Sequence, residues 1–278
     1  MLQRFVANWL RQQATEAVMN AINPDSEQQA DGQSGESESV PAEVDVVCLF
    51  PSSSEAGGFV DKLSDITTTK CSGFVERIGV LQKTPVAVVE SGLAHEKLAR
   101  ALRDVIELRK PKWVLSNGFA MALAGPVRRG DIIVADRIVD PHEYSLEIGT
   151  KMPEAKGLRV GTLLTVEMFP EEAKKQKEFA GTNALACDTQ AAVIAEVCRV
   201  LKTRMMAVHV VAQRESVTST LVKKVKSQES MAGLLGAAAG ALIEKPSTVK
   251  DFWNDKESSL KLSDRLAHFL EGVVGQLS

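Results

Sequence analysis

Short apolar runs of strand length alternate with helical segments along most of this chain, and that alternation limits the folds open to it. The strand-like runs lie at 44–50, 85–91, 112–118, 131–139, 184–190 and 205–212. The helical patterns lie at 95–109, 171–180 and 190–201. Strands joined through helices of about ten residues or more predict an α/β protein. Its sheet is expected to be largely parallel and covered by helices on both faces.

The composition is typical of a globular enzyme-sized protein and argues against broad electrostatic binding to nucleic acid. The chain has 278 residues, 25% of them charged, with a net charge of −3 and a pI of about 5.9. A protein that neutralises many phosphates carries an excess of positive charge. Aromatic residues make up only 5%, so stacking platforms for single strands are not indicated. We therefore expect no nucleic-acid partner.

The sequence lacks the motifs that hold metals or the common cofactors. No Gly-x-Gly-x-x-Gly follows the first strand, and neither a P-loop nor a Gly-x-Ser-x-Gly elbow occurs. The four histidines are dispersed, and His209, in an apolar strand, is interpreted as a core residue. Cys48, Cys187 and Cys198 lie in apolar runs typical of buried thiols. We expect no metal, no cofactor and a reducing, cytoplasmic compartment.

Two segments of different character precede the first strand. Residues 1–22 place apolar side chains at helical spacing, interrupted by arginine and glutamine, which predicts an amphipathic helix rather than a signal peptide. That helix is expected to pack on its own domain or on a partner subunit, with an interfacial membrane anchor as the alternative. Residues 23–43 are rich in Ser, Glu, Gln, Gly and Asp, which predicts a disordered, flexible acidic linker. The folded domain is assigned to 44–278.

A second apolar segment lies within 218–248. MAGLLGAAAGALI, at 231–243, has thirteen apolar residues, too few to span a bilayer, which takes about twenty. Gly236 and Gly240 give it the small-residue spacing that permits close helix packing. We expect a buried or subunit-interface helix; a lid over a site or a membrane-surface contact is the alternative.

Residues 86–140 carry the most specific pattern in the chain. A strand leads to the turn Ser91-Gly92, a helix follows, the next strand contains Asn117-Gly118, and a strand begins with GDIIV at 130–134. The segments GTLLTVEMF, ALACDTQAAVIAEVC, MMAVHVVAQRESV and the final helix follow in order at 161–169, 184–198, 205–217 and 249–274. This order resembles the nucleoside phosphorylase/nucleosidase superfamily, nearest to its 5′-methylthioadenosine/S-adenosylhomocysteine nucleosidases. Residues 218–248 read as an insertion relative to the shorter nucleosidases.

The resemblance implies a three-layer αβα sandwich around a twisted mixed sheet. It also implies cleavage of the N-glycosidic bond of a purine-type nucleoside, with water or phosphate as acceptor. Such cleavage passes through a ribosyl cation, so a site must activate the nucleophile, hold the sugar hydroxyls and neutralise the leaving base. A homodimer and a place in methionine salvage are what this branch of the superfamily implies.

The resemblance also assigns roles to particular residues. Glu55 begins EAGGFVDKL, where the family has the carboxylate that activates water; an ordinary acidic residue in a first helical turn is the alternative. Ser91, Gly92 and Gly118 correspond to turns that bind substrate, and Phe169 to the phenylalanine that stacks on the base.

The sugar-binding position departs from the family's pattern. Thr189 and Gln190 stand where the family has a Met-Glu pair that binds ribose. Gln190 would bond the hydroxyls as a neutral partner, and a neutral bond is worth roughly half a charge-assisted one. Asp188 would supply the missing carboxylate if the turn shifted by two residues.

The acid that protonates the leaving base is also changed. Ser216 stands at the family's aspartate, and a serine hydroxyl is a poor proton donor near neutral pH. Glu215 is the adjacent candidate for the acid, and Arg214 the candidate for stabilising the departing base or an anion.

A third departure lies at the purine-side turn. Phe119 and Met121 replace small residues there, so they narrow the pocket or fill it. Two hypotheses therefore stay open. One is a nucleosidase or phosphorylase for a methylthioadenosine-like or altered nucleoside. The other is a catalytically degenerate relative that acts as a nucleoside-binding or scaffold protein, with membrane association as a further variant.

Overall fold

The pattern of apolar runs can be compared with a computed structural model of the chain. The structure describes residues 43–71, 73–92, 95–123, 126–142, 144–150, 152, 155–170, 178–179, 181–212 and 246–277. For residue 96 and for 246–256 it describes the backbone alone.

The described residues form one large sheet and the helices that flank it. The strands are β1 (Val46–Phe50), β2 (Ser64–Cys71), β3 (Phe74–Leu81), β4 (Thr84–Glu90), β5 (Trp113–Ala122), β6 (Ile132–Val139), β7 (Ser145–Glu147), β8 (Leu158–Thr165), β9 (Ala186–Asp188) and β10 (Arg204–Ala212). The helices are α1 (Ser53–Val60), α2 (His95–Arg109), α3 (Ala191–Leu201) and α4 (Pro246–Leu277).

Most of the elements expected from the sequence are present. Every predicted strand overlaps an observed one, and the helices predicted at 95–109 and 190–201 are confirmed as α2 and α3. Residues 246–248, which we expected in the insertion, begin α4 instead. The segments 1–22, 218–245 and most of 23–43 and 171–180 lie outside the described residues.

The prediction of a largely parallel sheet is wrong; the sheet is mixed, as the family resemblance implies. The strand order is β10-β6-β8-β9-β5-β1-β4-β3-β2, and β7 pairs with β6 at the side of this path. β1 lies between β4 and β5 and is parallel to both. β2, β3 and β4 are antiparallel because β3 and β4 are joined by two residues, too few for a parallel crossover.

β10 joins the two ends of part of the sheet. It pairs in parallel with β5 and antiparallel with β6. Since β6 leads through β8 and β9 back to β5, these five strands close into a ring. Both β9 and β10 therefore lie next to β5.

Alternate residues of β1 enter different hydrophobic layers. Val47 and Leu49 pack in a cluster with residues of α2 and α3, whereas Cys48 and Phe50 pack in a second cluster with residues of α1 and α4. A strand buried on both faces in this way requires a helical layer on each side. This is the expected three-layer sandwich. Within the described ranges, no helix is long and apolar enough to cross a membrane.

Candidate active site

Glu55 lies in the first turn of α1, directly after β1. Its Oε2 accepts a hydrogen bond from the backbone N–H of Phe119 at 2.6 Å, and its Oε1 accepts one from Ser52 Oγ at 2.9 Å. Gly118 lies under the same carboxyl group with φ of +150°, where an ideal β-carbon would stand 2.6 Å from Oε2. Any other residue at 118 would therefore push the Glu55 carboxyl away from its donor.

The C-terminal helix fixes the helix that carries Glu55. Ser263 Oγ, on α4, accepts a hydrogen bond from the backbone N–H of Gly58 at 3.0 Å and donates one to the carbonyl of Glu55 at 3.0 Å. A β-carbon on Gly58 would stand 2.8 Å from Asp264 Oδ1, so α1 and α4 approach at backbone distance. The position of Glu55 thus depends on a helix far away in the sequence.

The environment of Glu55 suits proton transfer at neutral pH. Burial is the main cause that raises its pKa from 4.5 to about 7. The Phe119 N–H, the Ser52 hydroxyl and the charge of His209 lower this pKa, while the charge of Asp188 raises it. A general base works best when its pKa lies near the working pH, so this carboxyl meets the requirement.

Asp188, at the end of β9, has hydrogen-bond partners for both carboxyl oxygens. Oδ1 accepts from Thr165 Oγ1 at 2.7 Å, and Oδ2 accepts from the backbone N–H groups of Gln190 at 2.9 Å and Ala191 at 2.7 Å. Burial alone would raise its pKa, but the hydrogen bonds and the nearby His209 hold that pKa below its ordinary value. Asp188 therefore caps the start of α3, and both of its carboxyl oxygens already accept hydrogen bonds within the protein.

Gln190 and Ser91, two of the residues predicted to bind substrate, are in hydrogen-bonding contact. Ser91 Oγ donates to Gln190 Oε1 at 3.1 Å, and Gln190 Nε2 donates to the carbonyl of Gly92. Both residues are buried. The carbonyl of Thr189 accepts a hydrogen bond from the ring of His95. The turn after β4 and the start of α3 thus form one connected polar group.

The two bulky residues at the purine-side turn are buried. Phe119 packs in the cluster that contains Phe59 of α1. Met121 packs in a separate cluster, against which the partly buried Phe169 lies. The residue expected to stack on a base therefore shares its surroundings with Met121, one of the residues expected to narrow the pocket.

The remaining predicted site residues cannot be located in the same way. Arg214, Glu215 and Ser216 lie outside the described residues, beyond the end of β10. Within the described part of the chain, no group of three or more His, Cys, Asp or Glu side chains is arranged to hold a metal ion.

His209 belongs to this site, although the sequence indicated only a core position. It is 2% exposed, and its Nε2 lies 3.5 Å from Asp188 Oδ2. In the parallel pair of β10 and β5 its register partner is Gly118, the residue beneath Glu55. No signal in one sequence gives this register, so the residue could not be found before the strands were paired.

Known proteins resemble the chain in both sequence and fold. The family model described as the Phosphorylase superfamily matches residues 45–157. A 5′-methylthioadenosine/S-adenosylhomocysteine nucleosidase from Haemophilus ducreyi is 27% identical over 128 residues, 45% of this chain and 53% of that protein. The match thus spans about half the length of that curated relative.

Two solved structures illustrate the likeness in fold. The 5′-methylthioadenosine/S-adenosylhomocysteine nucleosidase of S. pneumoniae with a transition-state inhibitor superposes with a TM-score of 0.62 at 14% identity, over 84% of this chain and 100% of that one. Futalosine hydrolase of Helicobacter pylori superposes with a TM-score of 0.54 at 16% identity, over 71% of this chain and 99% of that one.

These findings and the geometry define a class. The sheet and its flanking helices are those of an α/β protein with the fold of these solved nucleosidases. In sequence and fold the chain is similar to the nucleoside phosphorylase/nucleosidase superfamily, and 5′-methylthioadenosine/S-adenosylhomocysteine nucleosidases are among the proteins it resembles.

Proposed function

We propose that the chain hydrolyses the N-glycosidic bond of a purine-type nucleoside and that Glu55 activates the attacking water. The observation that carries this proposal is the Glu55 carboxyl, held by the Phe119 N–H, with its pKa raised chiefly by burial to about 7. In the reaction the carboxylate takes a proton from water as the oxygen bonds to the anomeric carbon and the bond to the base breaks.

Water, rather than phosphate, is the proposed acceptor. A phosphate at the nucleophile position would approach the Glu55 carboxylate in a site where charges are poorly screened, and like charges repel strongly there. Water meets no such penalty and has a proton to give. The proton for the leaving base is assigned to the segment that contains Glu215 and Ser216, with Arg214 as a stabilising charge.

The similar proteins support the proposed substrate class. Methylthioadenosine, adenosylhomocysteine and futalosine are nucleosides or nucleoside derivatives, and they appear in the names of the similar enzymes. We propose one of these or a closely related nucleoside as the substrate. Ser91, Gln190 and Thr189 are proposed to line its sugar side, and Phe169 its base. A homodimer in the cytoplasm is part of the same proposal.

A second candidate function is a nucleoside-binding or scaffold protein without turnover. It is favoured by the burial of Phe119 and Met121 and by the hydrogen bond between Ser91 and Gln190. In that case the polar group at the start of α3 serves packing, and the space for the base is filled by side chains.

A nucleoside panel distinguishes the two. The full chain is incubated with methylthioadenosine, adenosylhomocysteine, adenosine, inosine and futalosine, with and without phosphate, and released base is detected. We expect phosphate-independent release from at least one nucleoside. Phosphate-dependent release would replace hydrolase by phosphorylase. If no base is released but nucleoside binding is visible by calorimetry, the chain is a nucleoside-binding protein. If neither base release nor binding is observed, the scaffold function remains.

A further inference from the structure

Asp188 and His209 form a buried acid–histidine pair near Glu55, the proposed general base. The proposed reaction assigns no role to this pair. Asp188 and His209 are each 2% exposed, and Nε2 of the ring lies 3.5 Å from Oδ2 of the carboxyl group. Two ionisable groups removed from water at this depth are costly unless each compensates the other. Their joint burial calls for an explanation.

The strand register places His209 beside Gly118, the glycine that Glu55 also approaches. Paired residues of parallel strands project to the same face, with the strands about 4.8 Å apart. His209 pairs with Gly118, and the β-carbon position of Gly118 is 2.6 Å from Glu55 Oε2. Both groups therefore approach the same glycine, no side chain on residue 118 separates them, and the charge of His209 lowers the pKa of Glu55.

One ring nitrogen of His209 has no hydrogen-bond partner among the described residues. Nε2 faces Asp188, whereas Nδ1 is buried and has no hydrogen-bond partner among the described residues. A buried imidazole nitrogen without a partner costs free energy, so this nitrogen requires one. A water molecule, such as the one that Glu55 is proposed to activate, can supply it.

Few other charges face the ring. β5 carries no titratable side chain, and Asp136 and Arg137 of β6 are exposed. On α3, Glu196 pairs with Arg199. α4 packs against the opposite face of β10, that of Val208 and Val210. Within the described part of the chain, Asp188 and Glu55 are thus the charged groups that His209 meets.

We propose that the Asp188–His209 pair holds a proton beside Glu55, so that His209 is a positioning residue that keeps the Glu55 carboxylate ionised and oriented toward water. This inference rests on the proposed hydrolase function, which it deepens. Asp188 fixes the ring through Nε2 and also caps α3, and the ring presents Nδ1–H to the site. With both carboxyl groups ionised, the cation between them lowers the total electrostatic cost.

The first test measures activity against pH. His209→Gln removes the cation but keeps a polar side chain of similar size, and the exposed His142→Gln is the control. If the loss of the cation raises the pKa of Glu55 by about one unit, base release falls roughly fivefold near pH 7 and recovers to the wild-type value at high pH. A purely structural role would lower the rate equally at every pH, and that result would overturn the proposal.

The second test does not depend on turnover. The chain is labelled with ¹⁵N-histidine, and the ring nitrogens are observed by NMR in the wild type, His209→Gln, Glu55→Gln and Asp188→Asn. We expect the signal that His209→Gln removes to be an imidazolium at neutral pH and to move in both other variants. A neutral ring that is insensitive to Glu55→Gln would contradict the proposal, even if His209→Gln failed to fold. If the wild type releases no base while the ring behaves as expected, the hydrolase assignment fails and the proton-holding pair remains.

Discussion

The Glu55 carboxyl occupies the space that a side chain on residue 118 would need. An ideal β-carbon on Gly118 would stand 2.6 Å from Glu55 Oε2, and the next residue, Phe119, donates its backbone N–H to the same oxygen. Gly118, which leaves room for the carboxyl, and Phe119, which donates the hydrogen bond, are consecutive residues of β5. Two adjacent residues of one strand therefore hold the Glu55 side chain of α1. This arrangement fixes the carboxylate that we propose as the general base.

Gly118→Ala is expected to displace Glu55. The alanine methyl collides with Oε2, and φ of +150° is a conformation that only glycine adopts readily. Base release should fall by at least tenfold, and the free energy of unfolding by about 2 kcal/mol. Gly57→Ala is the control, since nothing lies within 4 Å of its β-carbon position. In helix α1 this change should stabilise the chain by up to about 1 kcal/mol. If Gly118→Ala and Gly57→Ala had the same urea stability and the same activity, the close contact between residue 118 and the Glu55 carboxyl would be refuted.

Ser263→Ala should loosen the helix that carries Glu55. It removes the acceptor for the Gly58 N–H and the donor to the Glu55 carbonyl. An unsatisfied buried N–H costs about 1–3 kcal/mol, which urea unfolding will measure, and kcat should fall with it. Ser258→Ala on the same helix is the comparison, because no side-chain hydrogen bond of Ser258 occurs among the described residues. Unchanged activity in Ser263→Ala would show that α4 does not position Glu55.

Stability should depend on pH through Glu55. Burial raises its pKa from 4.5 to about 7, so between these values the folded chain holds a proton that the unfolded chain has released. The free energy of unfolding therefore falls as pH rises through this window. Glu55→Gln removes the effect, and should be more stable than the wild type by up to about 3 kcal/mol near pH 8 but similar to it near pH 4. Urea titrations at several pH values test this; a gain that is the same at all pH values would exclude burial of the charge as its cause.

Asp188 should show the opposite dependence. Its pKa is lowered in the folded chain, where burial is outweighed by the hydrogen bonds and the nearby His209. Its contribution is therefore present above the ordinary pKa of an aspartate and is lost as pH falls through the folded value. Asp188→Asn should cost about 2–4 kcal/mol at neutral pH and much less in acid. Asp136→Asn, at an exposed position, should change nothing; a small, pH-independent loss in Asp188→Asn would refute the capping role.

The sequence allowed the elements with apolar patterns to be predicted, and the exceptions have physical causes. β1 and β10 are buried along nearly their whole length, so their composition marks them. β2 has exposed side chains through almost all of its eight residues, so no apolar run distinguishes it from a loop. β2 pairs antiparallel with β3, and β3 is joined to β4 by two residues. These connections make the sheet mixed, which the alternation of strands and helices does not indicate.

The sequence allowed only those candidate site residues to be predicted that directly follow a strand. Glu55, Ser91 and Gln190 each follow a strand, and a position after a strand can be read from the sequence. Asp188 and His209 lie on strands that are not neighbours in the sheet; they meet because β9 and β10 both pair with β5. Such a contact depends on the closure of five strands into a ring, and no property of either segment alone predicts it.

The most direct test of the account is the rate of base release by Glu55→Gln, using the nucleoside that the wild-type chain cleaves fastest. Glutamine retains an acceptor for the Phe119 N–H but cannot take a proton from water. Glu257→Gln, which changes an exposed carboxylate paired with Lys261, is the matched control. We expect a loss in kcat of about 10²–10⁴-fold in Glu55→Gln, with nucleoside binding retained in calorimetry and full activity in the control. Release by Glu55→Gln within twofold of the wild type would contradict it.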